Sequence, residues 1–151
     1  MTVLFAMAMA CTEEVKVIPF TYPQIFAGEV KKGWSIRSIQ LLQDGKGTTT
    51  FTGIDKCVTD DIYIFYNNPE RTYQVTEGAT VCTEGDPYMI VDSNWGFTNS
   101  SAQLTMIMPL LSSDPLPFIL KEVDDIKMTL DIYFDDNQSS YRFNFKPVSV
   151  E

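Results

Sequence analysis

Histidine is absent from the 151 residues. That one absence removes Ser-His-Asp and Cys-His catalysis and takes away the commonest zinc ligand. Basic residues are scarce as well: 11 Lys and Arg stand against 20 Asp and Glu, a formal charge of −9. Apart from the adjacent Lys31 and Lys32 they are scattered singly, which leaves no footprint for nucleic acid; the acidic balance serves mainly solubility. No apolar run approaches the roughly 20 residues that a membrane-spanning helix needs. What is present is a globular composition, with aromatics at 13% and no long polar tract. It excludes a disordered chain and suits one domain with a real core rather than two.

Cysteine is also sparing, at three residues, and two of them bracket the most legible stretch of the chain. Ile62-Tyr63-Ile64-Phe65-Tyr66 and Thr72-Tyr73-Gln74-Val75-Thr76 are rich in β-branched and aromatic residues and read as antiparallel strands. Asn68-Pro69-Glu70-Arg71 is the expected turn between them. A four-residue turn sets Phe65 opposite Gln74 and, carried outward, Cys57 opposite Cys82. A disulfide between them is therefore expected, the alternative being two buried thiols.

Cys11 is then left over. Val3-Leu4-Phe5-Ala6-Met7-Ala8-Met9-Ala10 is apolar, ends in small residues, and has the character of a signal-peptide core and cleavage region. Ala8-Met9-Ala10-Cys11 looks like a bacterial lipobox, with Ala8 where Leu is usual and no basic residue before Lys16. Either the start lies upstream of Met1 or the lipobox is a relaxed one. The expectation is lipidation at Cys11, which explains the odd cysteine and implies export to an oxidising compartment. Thr12-Glu13-Glu14 resembles the export signal of surface lipoproteins, so an outer-membrane lipoprotein displayed at the cell surface is expected, with a solvated tether as the alternative for the two Glu. The division is residues 1–11 as signal remnant and lipobox, 12–32 as tether and short helix, and 33–151 as the main domain. Pro19 and Pro23 place the helix at Gln24–Lys32, stopped by Gly33.

From Gly33 onward turn signals separate short alternating segments, an all-β pattern. Strands are expected at Trp34–Gln43 and Thr48–Ile54 around a turn Asp44–Gly47. Tyr88–Thr98 is expected against Gln103–Met108, with Phe97 opposite Leu104 and Trp95 opposite Met106. Last come Ile126, Met128, Leu130, Ile132 and Phe134, alternating with polar residues, and then Tyr141, Phe143 and Phe145 opposite Ile132, Leu130 and Met128 across a turn at Asp136-Asn137. One face is core and the other water. Between Pro117 and Val123 two registers compete: a two-residue turn at Asp124-Asp125 turns Lys121 inward, and a longer one turns Phe118 and Leu120 inward. The longer is preferred because a lone buried Lys is costly. An eight- to nine-stranded antiparallel up-and-down barrel with a short N-terminal helix or plug satisfies these hairpins best, since closure removes exposed edges. A two-sheet sandwich is the alternative.

Taken in order, Lys32-Gly33-Trp34-Ser35-Ile36, Cys57, Asp60-Asp61-Ile62-Tyr63-Ile64-Phe65, Tyr73, Glu77-Gly78, Cys82 and Trp95 resemble the lipocalin-like domain lipoproteins of Bacteroidota. Those open the first strand with Gly and Trp, follow a cysteine with an acidic pair and an aromatic strand, and carry a second cysteine and a later Trp. The resemblance spans residues 32–147. Lipocalins place a residue between the Gly and the Trp, whereas Gly33 and Trp34 are adjacent. It implies an eight-stranded barrel on a lipid anchor and brings no catalytic residue with it.

The pairs Asp60-Asp61, Asp124-Asp125 and Asp135-Asp136 fall at strand ends and turns, where Asp bonds backbone; no catalytic role and no metal site are expected, Asp135-Asp136-Asn137 lacking EF-hand spacing. Trp34, Trp95, Phe97, Leu104, Met106, Met108, Leu130 and Phe143 are the barrel-interior candidates for a small hydrophobic ligand, with Lys121 to grip an acidic head group under the shorter turn. The same side chains could instead fill the barrel. The two readings are a lipid-anchored binding module without cofactor and a non-catalytic lipoprotein with a solid barrel that meets an envelope protein.

Overall fold

The computed structural model describes residues 21–98, 102–134 and 139–150, with nothing said of the side chains of residues 21 and 22. Cys11 with its lipobox, the Asp135-Asp136 pair, the turn expected at Asp136-Asn137 and most of the turn after Thr98 lie outside those residues. The chain begins with helix α1 (Thr21–Ala27), followed by β1 (Lys31–Gln43), β2 (Lys46–Thr50), a single turn α2 (Lys56–Thr59), β3 (Ile62–Tyr66) and β4 (Thr72–Thr76). Then come β5 (Met89–Asn94), β6 (Gly96–Thr98), β7 (Gln103–Met106), β8 (Leu116–Val123), β9 (Met128–Phe134) and β10 (Ser139–Val148).

The strands form one antiparallel sheet in the order β5-β4-β3-β1-β10-β9-β8-β7-β6, with β2 paired to β1 off this path. Only Trp95 separates β5 from β6, so the two ends of the path are halves of one bent strand, the first half paired to β4 and the second to β7. The covalent chain closes the ring. Counting that strand once reduces the nine of the path to eight staves, an up-and-down barrel as expected.

The β9–β10 register is the expected one: Tyr141 faces Ile132, Phe143 faces Leu130 and Phe145 faces Met128. Phe97 faces Leu104 as well. Other expectations shift. In the hairpin between the cysteines Phe65 faces Tyr73, not Gln74. Arg71 adopts a left-handed conformation, φ 54°, and Asn68 ties the loop by accepting the Thr72 N–H at 2.9 Å, which lengthens the turn by one residue. The shift puts Tyr63, Phe65, Tyr73 and Val75 together inside and Gln74 outside; the four-residue turn would have sent Gln74 inward. Cys57 and Cys82 are bonded, Cα to Cα 5.1 Å, but from α2 and the loop after β4. The ladder itself ends at Ile62 and Thr76.

The first hairpin turns on Asp44 and Gly45 alone, φ 52° and 72°, since a two-residue turn of this kind wants both in the left-handed region; β2 therefore starts earlier than expected. Trp95 does not pair with Met106: the β6–β7 ladder stops at Gly96 and Thr105, and the Trp95 N–H donates to the Arg71 carbonyl at 2.9 Å instead. Ile126 is outside the core and exposed, because β9 begins only at Met128. Helix α1 starts at Thr21 rather than Gln24 and ends at Gly28, φ 69°, not at Gly33. Pro23 lies in its first turn, where a missing N–H costs nothing. Gly33 is small for another reason: a Cβ there would fall 2.5 Å from Val150 Cγ1.

Candidate functional site: a plugged barrel with an apolar mouth

At one end of the barrel α1 is the plug. Phe26 is fully buried, with ring centroids 4.2 Å from Phe65, 5.1 Å from Trp95 and 5.5 Å from Phe97. The helix C-terminus leaves carbonyls without helical partners, and β1 supplies donors for them. Trp34 Nε1 donates to the Phe26 carbonyl at 2.9 Å and Lys32 Nζ to the Ile25 carbonyl at 3.0 Å. Lys32 also stands 4.4 Å above the Trp34 ring and 3.9 Å from Asp125. Desolvation lowers its pKa, opposed by Asp125 and Asp124. Trp95 Nε1 donates to the Tyr66 carbonyl at 3.1 Å, with the Arg71 guanidinium over its ring at 4.6 Å. Both indoles thus spend their donors on the plug end.

The interior residues named from the sequence meet one another. Trp34, Leu104, Met106, Met108, Leu130 and Phe143 are at most 1% exposed and Trp95 3%, while Phe97 is partly buried against the same cluster. Tyr63, Tyr73, Phe118, Met128 and Phe145 fill the space between them. Lys121 is exposed and takes no part. The β8–β9 connection is a four-residue loop closed by Asp124 N–H to the Lys127 carbonyl, 2.9 Å, and a bulge between Leu120 and Glu122 lets Phe118 and Leu120 stay on the core side.

Concavities border the other end. One of about 200 Å³ is lined by Ile39, Phe51, Ile54, Leu110, Leu111, Tyr141 and Phe143. Of the interior candidates only Phe143 reaches it. A second, about 370 Å³, lies where β5 parts from the segment after β7 and is lined by Ile90, Val91, Asp92, Ile107, Pro109, Ser112 and Ser113. Sequence reading missed both walls. The apolar pair Leu110-Leu111 inside a Pro-bounded loop was the signal for the first.

The acidic pairs divide. Asp124 Oδ1 accepts the Ile126 N–H at 2.8 Å, a turn role. Asp60 Oδ2 accepts the Thr80 N–H and hydroxyl at 3.1 and 2.8 Å. Asp61 is buried, and desolvation, then Glu77 and Asp60, raise its pKa to about 7. Among the described residues no three His, Cys, Asp or Glu are grouped to hold a metal ion, and no helix is long and apolar enough to cross a membrane. These elements define an up-and-down antiparallel β-barrel, plugged at one end and packed with side chains. Compared with known proteins, the chain matches no family model and no curated protein.

Proposed function

We propose that the protein is a cell-envelope lipoprotein, anchored in the outer membrane through acylated Cys11 and displayed at the surface, whose barrel is a non-catalytic interaction module meeting an envelope protein. The observation that carries this reading is the filled interior: the residues that would line a ligand chamber are buried against each other, whereas a drug-sized ligand needs roughly 300 Å³ or more, and the one concavity described above that reaches that size, about 370 Å³, is walled by β5 and the segment after β7 and by none of the interior candidates. The Cys57–Cys82 bond supports an exported, oxidising address. Exposed Phe51 and Leu110 line the apolar mouth, and Tyr88 and Met89 are exposed where the chain enters β5, the kind of apolar side chains that interface cores favour.

A second reading is favoured by the mouth concavity of about 200 Å³, whose lining suits one small apolar group. Native mass spectrometry of protein purified from its own host separates the two. The expected species begins at Cys11, carries acyl chains and releases no small molecule. A co-purified apolar molecule that shifts the resonances of Phe51 and Tyr141 would overturn the first reading in favour of the second. Unacylated protein in the soluble fraction would remove the anchor.

A further inference from the structure

Asp61 and Glu77 lie one step beyond Ile62 and Thr76, the last pair of the β3–β4 ladder. Each is 7% exposed, and each keeps one oxygen, Asp61 Oδ1 and Glu77 Oε2, buried without a hydrogen-bond partner. Among the described residues neither forms an ion pair with a Lys or Arg. From the C-cap of α2 comes Asp60, whose charge acts on Asp61 together with that of Glu77. From β3 comes Tyr63, a phenol kept neutral by burial and by Asp61. From the loop after β4 come the Gly78 N–H, which bonds Asp61, and Thr80, which is committed to Asp60. The corner is tight: a Cβ on Gly78 would fall 2.1 Å from the Asp60 carbonyl oxygen, so the loop rests directly on the α2–β3 junction.

Two neighbouring buried carboxylates cannot both ionise cheaply. We propose that Asp61 and Glu77 form an acid-locked latch: while protonated, Asp61 is neutral beside Glu77 and the loop of residues 77–88 rests against the end of β3, and once Asp61 loses its proton the two carboxylates repel and let the loop lift on its Cys57–Cys82 tether. Gly78 alone works against the proton by bonding the charged form, and burial with two negative neighbours outweighs it, which places the Asp61 transition at about 7. A carboxyl raised in the folded state binds its proton there more tightly than in the unfolded chain. Its contribution is therefore whole in acid and is lost as the pH rises through neutrality. The loop leads straight into β5, whose Ile90, Val91 and Asp92 wall the larger concavity, so the latch controls one side of that space.

Hydrogen exchange on the intact protein, corrected for intrinsic rates, tests this at pH 5.5 and 8.5. Amides of residues 78–88 are expected to lose about tenfold or more of their protection at the higher pH, the equivalent of a pKa unit, while β9 and β10 stay unchanged. Asp61→Asn, neutral at both values, is expected to remain protected at both. Equal protection in the wild type, or a loss that persists in Asp61→Asn, would overturn the latch. Should Asp61→Asn not fold, a carbon-13 NMR titration of the wild-type Asp61 carboxyl decides: a midpoint near neutrality supports the latch, and one in the ordinary carboxylate range refutes it.

Discussion

Asp131 has no exposed surface, although it lies on the outer side of β9. Arg142, opposite it on β10, covers it with two bonds, Nε at 2.7 Å and Nη2 at 2.8 Å, and that bidentate grip raises the Arg142 pKa further. Beside them Asn144 accepts from Thr129 and donates to Ser38, so the outer face here is a bonded polar strip rather than a wet one. Arg142→Met would leave the Asp131 charge buried and unpaired. It is expected to lower the unfolding free energy by about 3–5 kcal/mol, read as a drop in urea midpoint at constant slope, and Asp131→Leu in the same chain should restore most of it. The pairing was legible, since the register that sets Tyr141 against Ile132 also sets Arg142 against Asp131. Its burial was not, because alternation assigns a side of the sheet and says nothing of what lies over it. Lys121 shows the same limit: a bulge is a choice of backbone that no side-chain pattern announces.

Among the elements, α1 is the plug, tied to the wall through Lys32 and Trp34 of β1. Its existence follows from the prolines and the glycine, but its end was misplaced because Gly28 and Gly33 are both plausible stops and only tertiary contacts choose between them. Asn67 chooses Gly28, donating its side-chain amide to that carbonyl at 3.2 Å while its own N–H bonds Val30 at 2.8 Å. Phe26→Ala would empty the centre of the aromatic cluster, and a loss of about 3–5 kcal/mol is expected, with a changed near-UV signal from Trp34 and Trp95. Val30→Ser, on the exposed approach to β1, should stay within about 0.5 kcal/mol of wild type. Equal effects from the two would mean that the helix does not dock.

At the scale of the whole molecule the hairpins were readable one by one, because each rests on neighbouring residues, turn chemistry and cross-strand apolar pairs. The switch of neighbours at Trp95 was not, since it depends on how the ring is filled, whereas the pairing of β1 with β10 is what closure of an up-and-down barrel implies, though its register was not readable. The disulfide belongs with the features outside the ring. Because it links α2 to a loop rather than two staves, Cys57→Ser with Cys82→Ser is expected to cost about 3 kcal/mol by the chain-entropy model and to leave the near-UV spectrum of the barrel intact. A collapsed spectrum would show that the bond shapes the fold and does more than restrain the unfolded chain.

The pairing of β1 with β10 brings Gly33 to Val148 and Leu41 to Tyr141, across a hundred or more positions of sequence. A nascent chain therefore carries β1 with one flank unsatisfied until residues 139–148 arrive. Throughout that interval the half-built sheet offers an open backbone edge to any other chain. The order in which this polypeptide emerges makes its last strand the one that ends its exposure to mispairing.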